Sequence, residues 1–380
     1  MSTMERILRL MAEKKASDAY LSAHAPAQVR INGQCVPINA QPLPPDAPRA
    51  LLAEVLAPER MAELDRTGEL NLGHTIEGVG SFRVSAMRQR GTVAVVIRHI
   101  PPDIPPLDSL NLPMVLGELV MEKRGLLLMV GSTGAGKSTT LASMLDWRNE
   151  RATGHILTIE EPVEYVFRNK RCVVNQREVG TDTESLQVAL KNALRQAPDV
   201  ILIGEIRDRE TMSAAIAYAQ TGHLCLATMH ANNSYQALNR ILSFYPVEVR
   251  PTMLGDLAAA LRAIVSQRLL RTVHGSRTPA VEVMLNTQLV SELIEKGAFS
   301  DVREAMDKAM AEGSQTFEQD IARLVTDGIV DRKEGMAHAD SPNNLLWRLE
   351  NTFATRPEAA PTHDDDDEPS FTDITFDVKH

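Results

Sequence analysis

The sequence is poor in cysteine, in aromatic residues and in long apolar runs. It contains three cysteines and 4% aromatic residues in 380 positions. Cysteines this few and scattered form neither a disulfide framework nor a metal-binding pattern, and they suit a reducing cytoplasm. No apolar run approaches the ~18 residues of a membrane span, and the charged N-terminus does not resemble a signal peptide. We therefore expect a cytoplasmic protein that does not insert into a membrane.

The chain also lacks an excess of positive charge. Its 50 acidic residues outnumber its 40 basic ones, for a net charge of −10. Residues 357–380 hold eight of the acids and one base, which leaves the rest of the chain nearly neutral. A nucleic-acid partner would require a basic face, so we expect none. The segment 357–380 contains proline and has no periodicity, which predicts a disordered acidic tail.

One stretch organises the rest of the chain. Residues 126–130 form an unbroken apolar run, which is typical of a parallel strand buried on both faces. A helix start follows at Thr139, and the residues between fit G-x-x-x-x-G-K-[ST]: Gly131, Ser132, Thr133, Gly134, Ala135, Gly136, Lys137 and Ser138. In such a loop backbone N–H groups bind phosphate, Lys137 reaches the β and γ phosphates, and the Ser138 hydroxyl ligates Mg²⁺. The stretch predicts ATP and Mg²⁺ as ligands.

The pattern of apolar runs predicts two domains. Residues 1–100 read as a small α+β domain, 101–112 as a proline-rich linker, and 113–356 as an α/β domain that ends in helices. Strands are predicted near 125–130, 155–160, 199–204, 223–229 and 280–285, and helices near 137–148, 183–196, 208–220 and 234–243. This alternation indicates a mostly parallel sheet with helices on both faces. Four further helices are predicted near 288–296, 300–311, 315–326 and 341–352.

The N-terminal domain is predicted from shorter signals. Apolar residues at helical spacing predict a helix over 3–15, and Asn32-Gly33 is the strongest short turn signal for a hairpin. Two helices, near 49–56 and 58–67, and two strands, near 80–90 and 92–100, complete it.

Carboxylates follow two of the predicted strands. Glu205 stands at the C-terminal edge of the strand 199–204, where ligands bind in sheets of this type, whereas Asp199 lies roughly 20 Å away and is expected to be structural. The alternative for Glu205 is a surface ion pair with Arg207. Glu164 could act as a general base on water, and Glu160 could assist at the metal. For Glu160, Glu161 and Glu164 the alternative is a solvated acidic turn.

Histidines and arginines supply further candidates. His223 and His230 lie at the two ends of one predicted strand, ~23 Å apart. Only His230, at the C-terminal edge, can therefore reach a γ-phosphate. His223 is expected at an interface or in an internal hydrogen bond. Arg83 and Arg98 are candidates for completing the site of a neighbouring subunit, because transition-state charge needs a fixed cation; both could equally be surface strand residues.

Four motifs, in this order, resemble those of the type II/IV secretion ATPase superfamily. They are its phosphate loop (131–138), acidic box (158–164), signature (194–208) and histidine box (221–230). The stretches 16–22 and 80–84 resemble the PilT branch of the family, which powers retraction of type IV pili. At 289–296, however, both arginines of a PilT element needed for retraction are replaced, and with the acidic tail this resembles PilU-type members, which assist retraction.

The resemblance implies a RecA-like P-loop NTPase core at 113–356 preceded by a PAS-like α+β domain. It also implies a hexameric ring with the nucleotide at the subunit interface, Glu164 as the catalytic glutamate, Glu205 as the metal-binding acid and His230 as the histidine-box contact. The implied partners are a PilT-like ATPase ring and an inner-membrane pilus platform protein, at the cytoplasmic face of that membrane. An assembly or secretion ATPase and a non-catalytic, nucleotide-binding adaptor of the retraction motor remain alternatives.

Overall fold

The computed structural model describes residues 1–31, 33–100, 103–308 and 311–354. Asn32 of the predicted hairpin turn, the first two linker residues and the predicted tail 357–380 lie outside the described residues. Within the described ranges no helix combines the length and the apolar character needed to cross a bilayer.

Six antiparallel strands form the first sheet, which contains every strand before residue 101. Its strands are β1 (Asp18–Leu21), β2 (Pro26–Ile31), β3 (Gln34–Pro42), β4 (Glu69–Ile76), β5 (Gly80–Gln89) and β6 (Thr92–Ile100). The spatial order is β3-β2-β1-β6-β5-β4. One face packs on three helices: α1 (Thr3–Glu13), α2 (Ala47–Ala53) and α3 (Pro58–Thr67). The amphipathic N-terminal helix is confirmed, since its apolar side chains at helical spacing are all buried: Met4, Ile7, Leu8 and Met11.

Seven strands form the second sheet. They are β7 (Gly125–Val130), β8 (Gly154–Glu160), β9 (Cys172–Glu178), β10 (Val200–Ile203), β11 (Leu224–Met229), β12 (Leu261–Arg271) and β13 (Arg277–Leu285). The spatial order is β13-β12-β7-β11-β10-β8-β9, and every neighbouring pair is parallel except β12 with β13. The predicted α/β fold with a mostly parallel sheet is confirmed, and the chain enters the phosphate loop directly from the central strand β7.

Helices cover both faces of this sheet and form the C-terminal region. They are α4 (Val115–Leu119), α5 (Lys137–Arg151), α6 (Leu186–Ala193), α7 (Arg209–Gln220), α8 (Ser234–Ser243), α9 (Arg250–Ala260), α10 (Gln288–Glu295), α11 (Val302–Lys308), α12 (Phe317–Thr326), α13 (Arg332–His338) and α14 (Pro342–Ala354). Apolar side chains from the two faces form separate buried clusters, one with α6, α7 and α9 and one with α4 and α5.

The structure adds elements that the apolar pattern did not predict. Strands β4, β9 and β12 and helices α4, α9 and α13 were absent from the predicted set. The predicted helix 183–196 is shorter, because α6 ends at Ala193 and a 3₁₀ turn follows. Strand β4 alternates polar and apolar side chains with only Leu70 fully buried, so its apolar signal is weak. The division into domains at 100 and 113 stays a prediction, supported by two sheets that share no strand.

Candidate active site

The loop between β7 and α5 can be built only from glycine at two positions. Gly131 and Gly136 have φ angles of 155° and 88°. A Cβ atom on Gly131 would lie 2.6 Å from the carbonyl oxygen of Gln267, and one on Gly136 would lie 2.7 Å from Gln267 Nε2. Glycine adopts these angles without strain and leaves room for the neighbouring strand. The loop therefore curls tightly against β12, and α5 begins at Lys137 with its N–H groups at the loop.

Gln267, which was not among the predicted site residues, holds this loop in place by hydrogen bonds. Its side-chain amide donates to the carbonyl of Ala135 at 2.8 Å and accepts from the Thr140 hydroxyl at 2.8 Å. Gln267 is only 3% exposed, so both bonds are shielded from water. A single side chain on β12 thus ties the loop to the first turn of α5. The only sequence signal was a polar triplet, Ser266, Gln267 and Arg268, between the apolar residues 263–265 and 269–270.

Lys137 lies folded back onto the loop. Its Nζ donates to the carbonyl oxygens of Gly131 at 2.8 Å and Ser132 at 2.9 Å. Burial lowers the pKa of Lys137, while the negative charges of Glu205 and Glu164 oppose that shift. The ammonium is therefore held where a phosphate would meet the loop N–H groups, and two carboxylates stabilise its charged form.

Glu205 follows β10 and lies between Arg207 and His230. Arg207 donates to its Oε2 from Nε at 2.9 Å and from Nη2 at 2.8 Å, and Arg207 Nη1 also reaches Glu161 Oε2 at 3.2 Å. His230, which follows the neighbouring strand β11, places Nε2 3.4 Å from Glu205 Oε1. The ion pair that was the alternative for Glu205 does form. It does not remove Glu205 from the site, because all four side chains line the same cavity.

The acidic box lies beyond β8 on the other side of Glu205. Glu160 accepts from the Thr158 hydroxyl at 2.6 Å, and burial raises the pKa of its carboxyl. Glu164 is exposed toward the cavity. The next residue, Tyr165, hydrogen-bonds Thr139 at 2.8 Å and so links this segment to the first turn of α5. Glu164 is therefore exposed, as in a solvated acidic turn, but the segment that carries it is fixed to the first turn of α5.

One cavity of about 790 Å³ contains the predicted site residues from both sheets. Its walls include Glu164, Glu205 and His230, the loop residues Thr133, Gly134, Gly136, Lys137, Ser138 and Thr139, and Arg83 and Arg98 of the first sheet. A second cavity of about 380 Å³ lies against the other side of the loop and contacts Gly131, Ser132 and Ala135. Both arginines thus line the same cavity as the loop of their own chain, and completion of a neighbouring subunit's site stays a prediction.

Two residues expected to lie elsewhere do lie at the opposite edge of the sheet. Asp199 precedes β10 and accepts the backbone N–H of His155 at 2.8 Å. His223 precedes β11, and its Nδ1 lies 3.2 Å from the Thr221 hydroxyl and 3.3 Å from the Tyr218 carbonyl oxygen. Both therefore fix the amino ends of strands, which agrees with the structural roles expected for them.

The donor set suits Mg²⁺ that arrives with a phosphate ligand. Among the described residues no group of three or more His, Cys, Asp or Glu side chains could hold a metal ion. Magnesium in proteins commonly takes one or two carboxylates and completes its octahedron with substrate oxygens and water. Ser138 and Glu205 line one cavity and supply a hydroxyl and a carboxylate. These two residues fit such an ion, with Glu160 nearby.

Comparison with known proteins identifies the class to which this fold and cavity belong. The sequence profile described as Type II/IV secretion system protein matches residues 4–337. The chain belongs to this family, as the four motifs indicated.

Particular relatives place it within the family. The chain is 46% identical over 342 residues to the type IV pilus ATPase PilU of Pseudomonas aeruginosa, and the match covers 90% of each chain. It is 35% identical to the type IV pilus retraction ATPase PilT of the same organism, over 89% of this chain and 98% of that protein. A crystal structure of the pilus retraction motor PilT with bound ADP superposes with a TM-score of 0.84 at 37% identity, covering 91% of this chain and 99% of that one. The predicted resemblance to PilT/PilU-type members is confirmed.

Proposed function

We propose that this chain is a Mg²⁺-dependent ATPase that hydrolyses ATP to ADP and phosphate. We also propose that six copies form a ring that drives or assists type IV pilus retraction. One observation carries the proposal: the phosphate loop, two carboxylates from adjacent strands and His230 line a single cavity. The similarity to PilU and PilT over nine-tenths of the chain supports the retraction role.

In this proposal each side chain has a distinct task. The loop N–H groups and Lys137 bind the β and γ phosphates, which requires the lysine to exchange its carbonyl partners for phosphate oxygens. Glu164 orients the attacking water and accepts its proton. Glu205, with Ser138, holds Mg²⁺, which when bound neutralises charge that develops on the phosphate oxygens. His230, in contact with Glu205, senses the γ-phosphate.

A variant of the proposed general base tests the reaction. We expect Glu164→Gln to lower ATP turnover about 10²- to 10⁴-fold while nucleotide affinity stays near that of the wild type, because the amide cannot accept a proton. Lys137→Ala should instead abolish binding of ATP and ADP. Glu150→Gln, an exposed carboxylate on α5 outside the cavity, is the matched control and should turn over at the wild-type rate. Equal turnover in wild type and Glu164→Gln would rule out the catalytic assignment.

The partners are proposed on the same basis. We infer a homo-hexamer that acts with a PilT-like ATPase ring on an inner-membrane pilus platform protein, at the cytoplasmic face of that membrane. Co-purification of the full chain with a PilT-like ring, in the presence of ATP, is the expected result. If a catalytically inactive Glu164→Gln ring supported retraction as well as the wild type, the chain would be an adaptor and not a motor.

A further inference from the structure

A row of charged side chains crosses the first sheet and ends at the cavity. Neighbouring strands pair Arg30 with Asp18, Asp18 with Arg98, and Arg98 with Arg83. Residues directly opposite each other in a sheet share a face. This face is opposite to the one that packs on the N-terminal helices, because residues adjacent to the row, such as Ala19 and Ile97, belong to that core.

Asp18 is the only acid in this row of four, and it is almost fully buried. It is 4% exposed. Its Oδ1 accepts from Arg98 Nε at 3.0 Å, and its Oδ2 lies 3.8 Å from Arg30 Nη1 and accepts from the Ser17 hydroxyl at 2.9 Å. A buried carboxylate is stable when cations and hydrogen-bond donors surround it, as here. Asp18 therefore holds Arg98 at Nε, the inner nitrogen of its guanidinium group, although the side chain is itself 59% exposed.

The opposite end of Arg98 is available to a ligand. A guanidinium carries five N–H donors, of which Asp18 takes the one on Nε. Within the described residues the other four make no hydrogen bond, and the side chain of Arg83, the next residue in the row, makes neither a hydrogen bond nor an ion pair. Two arginines directly opposite each other repel, and one carboxylate cannot balance three cations. Arg83 and Arg98 both line the cavity that holds the phosphate loop, so their guanidinium groups are accessible to a ligand there.

We propose that Asp18 is a positioning residue for the nucleotide. It holds Arg98 by Nε so that the terminal nitrogens are ready to bind the terminal phosphate of a nucleoside triphosphate. The inference rests on the proposed function, since it takes ATP as the ligand. It assigns a task to the 16–22 stretch, and it predicts that loss of Asp18 changes the preference for triphosphate over diphosphate more than it changes the stability of the sheet.

The test compares affinities for a non-hydrolysable ATP analogue and for ADP in the full chain. We expect Asp18→Asn to weaken binding of the analogue about tenfold, because Arg98 is no longer held in position and its charge-assisted hydrogen bond to the terminal phosphate is weakened. Affinity for ADP should stay within about twofold. Arg98→Ala should show the same selective loss, and adding Asp18→Asn to it should have no further effect, because the aspartate acts through that arginine. Asp65→Asn, which also removes an acid shared by two arginines of the first sheet domain, should change neither affinity.

Two outcomes of the measurements on Asp18→Asn would overturn the inference. One is a parallel fall in ATP-analogue and ADP affinity; the other is a further selective loss when Asp18→Asn is added to Arg98→Ala. If Asp18→Asn fails to fold, a comparison of Arg30→Ala with Arg98→Ala replaces it, because each of these variants removes one cationic partner of the Asp18 carboxylate. Only Arg98→Ala should lose the preference for triphosphate, and an equal loss in both contradicts the proposal. A wild type that binds neither nucleotide would reject the proposed function itself, whereas wild-type binding with parallel losses rejects this inference alone.

Discussion

Replacing Gln267 by methionine should loosen the phosphate loop without opening a cavity. Methionine has a similar volume and no amide, so the packing is kept while both buried hydrogen bonds are lost. The Thr140 hydroxyl can turn to the carbonyl oxygen of Gly136, one helical turn back, so its loss is small. Within the part of the chain that the structure describes, the carbonyl of Ala135 accepts a hydrogen bond from Gln267 alone, so this acceptor loses its partner. An unsatisfied buried acceptor costs about 1–3 kcal/mol, which is the expected fall in the free energy of unfolding.

The same change should weaken binding of nucleotide. A loosened loop must be ordered again when nucleotide binds. If this ordering costs about 1.4 kcal/mol of the binding free energy, nucleotide affinity falls about tenfold. Because the loop contacts phosphates common to both nucleotides, ATP and ADP should weaken together, in contrast to Asp18→Asn. Urea unfolding measures the stability, and titration with a fluorescent nucleotide measures the affinity.

A matched variant separates loop order from general stability. The side-chain amide of Asn286 donates to the carbonyl oxygens of Ala258 and Leu261 at 2.8 and 2.9 Å, at the opposite edge of the same sheet. Asn286→Leu should lower the free energy of unfolding by a similar amount and leave nucleotide affinity unchanged. Affinity of Gln267→Met within twofold of the wild type, or an equal loss in Asn286→Leu, would refute the reasoning.

Two further predictions concern regions outside the cavity. Burial raises the pKa of the Glu282 carboxyl in the folded state. The protonated carboxyl therefore contributes fully to stability below the pKa of the unfolded state, and this contribution is lost as pH rises through the pKa of the folded state. Glu282→Gln keeps an acceptor for Ser234 and Ser266, so it should raise the melting temperature at about pH 8, with a gain that shrinks as pH falls toward 5. Calorimetry measures the melting temperature at each pH, and a gain that does not depend on pH would contradict this prediction. Deletion of 357–380 should weaken binding to the partner ring and leave ATP turnover unchanged, and unchanged partner binding in a pull-down would show that the segment does not dock.

Sequence reasoning succeeded where a local pattern and a buried strand coincide. The strand at 125–130, the glycine loop and the helix after it lie as predicted, because two apolar faces and a fixed loop geometry leave few alternatives. The strands near 199–204 and 223–229 also appear within one residue, and their carboxyl ends bring Glu205 and His230 to the loop. Parallel strands share one edge for these ends, so topology carries the prediction from the motifs to the cavity.

It failed where tertiary pairing overrides local preference. Strand β12 follows α9 without a break, and residues 253–264 hold three leucines and four alanines, which favour continuation of the helix. Pairing with β7 decides the conformation instead, and with it the place of Gln267. Strand β9 lies at the edge of the sheet and has three apolar residues followed by four polar ones, so its apolar run is too short to predict a strand. The contact of Asp18 with Arg98 joins residues 80 positions apart, and no local pattern reports it.

The row on the first sheet also fixes a distance. Arg83 and Arg98 are direct partners on antiparallel strands, so their Cα atoms are separated by the roughly 4.5–5.5 Å that the backbone ladder imposes. Repacking the hydrophobic core beneath them cannot alter this separation while the ladder stays intact. The two arginine side chains therefore start from a preset separation, and a change in side-chain length, such as arginine to lysine, would adapt the pair to an anion of another size while the backbone spacing stays the same.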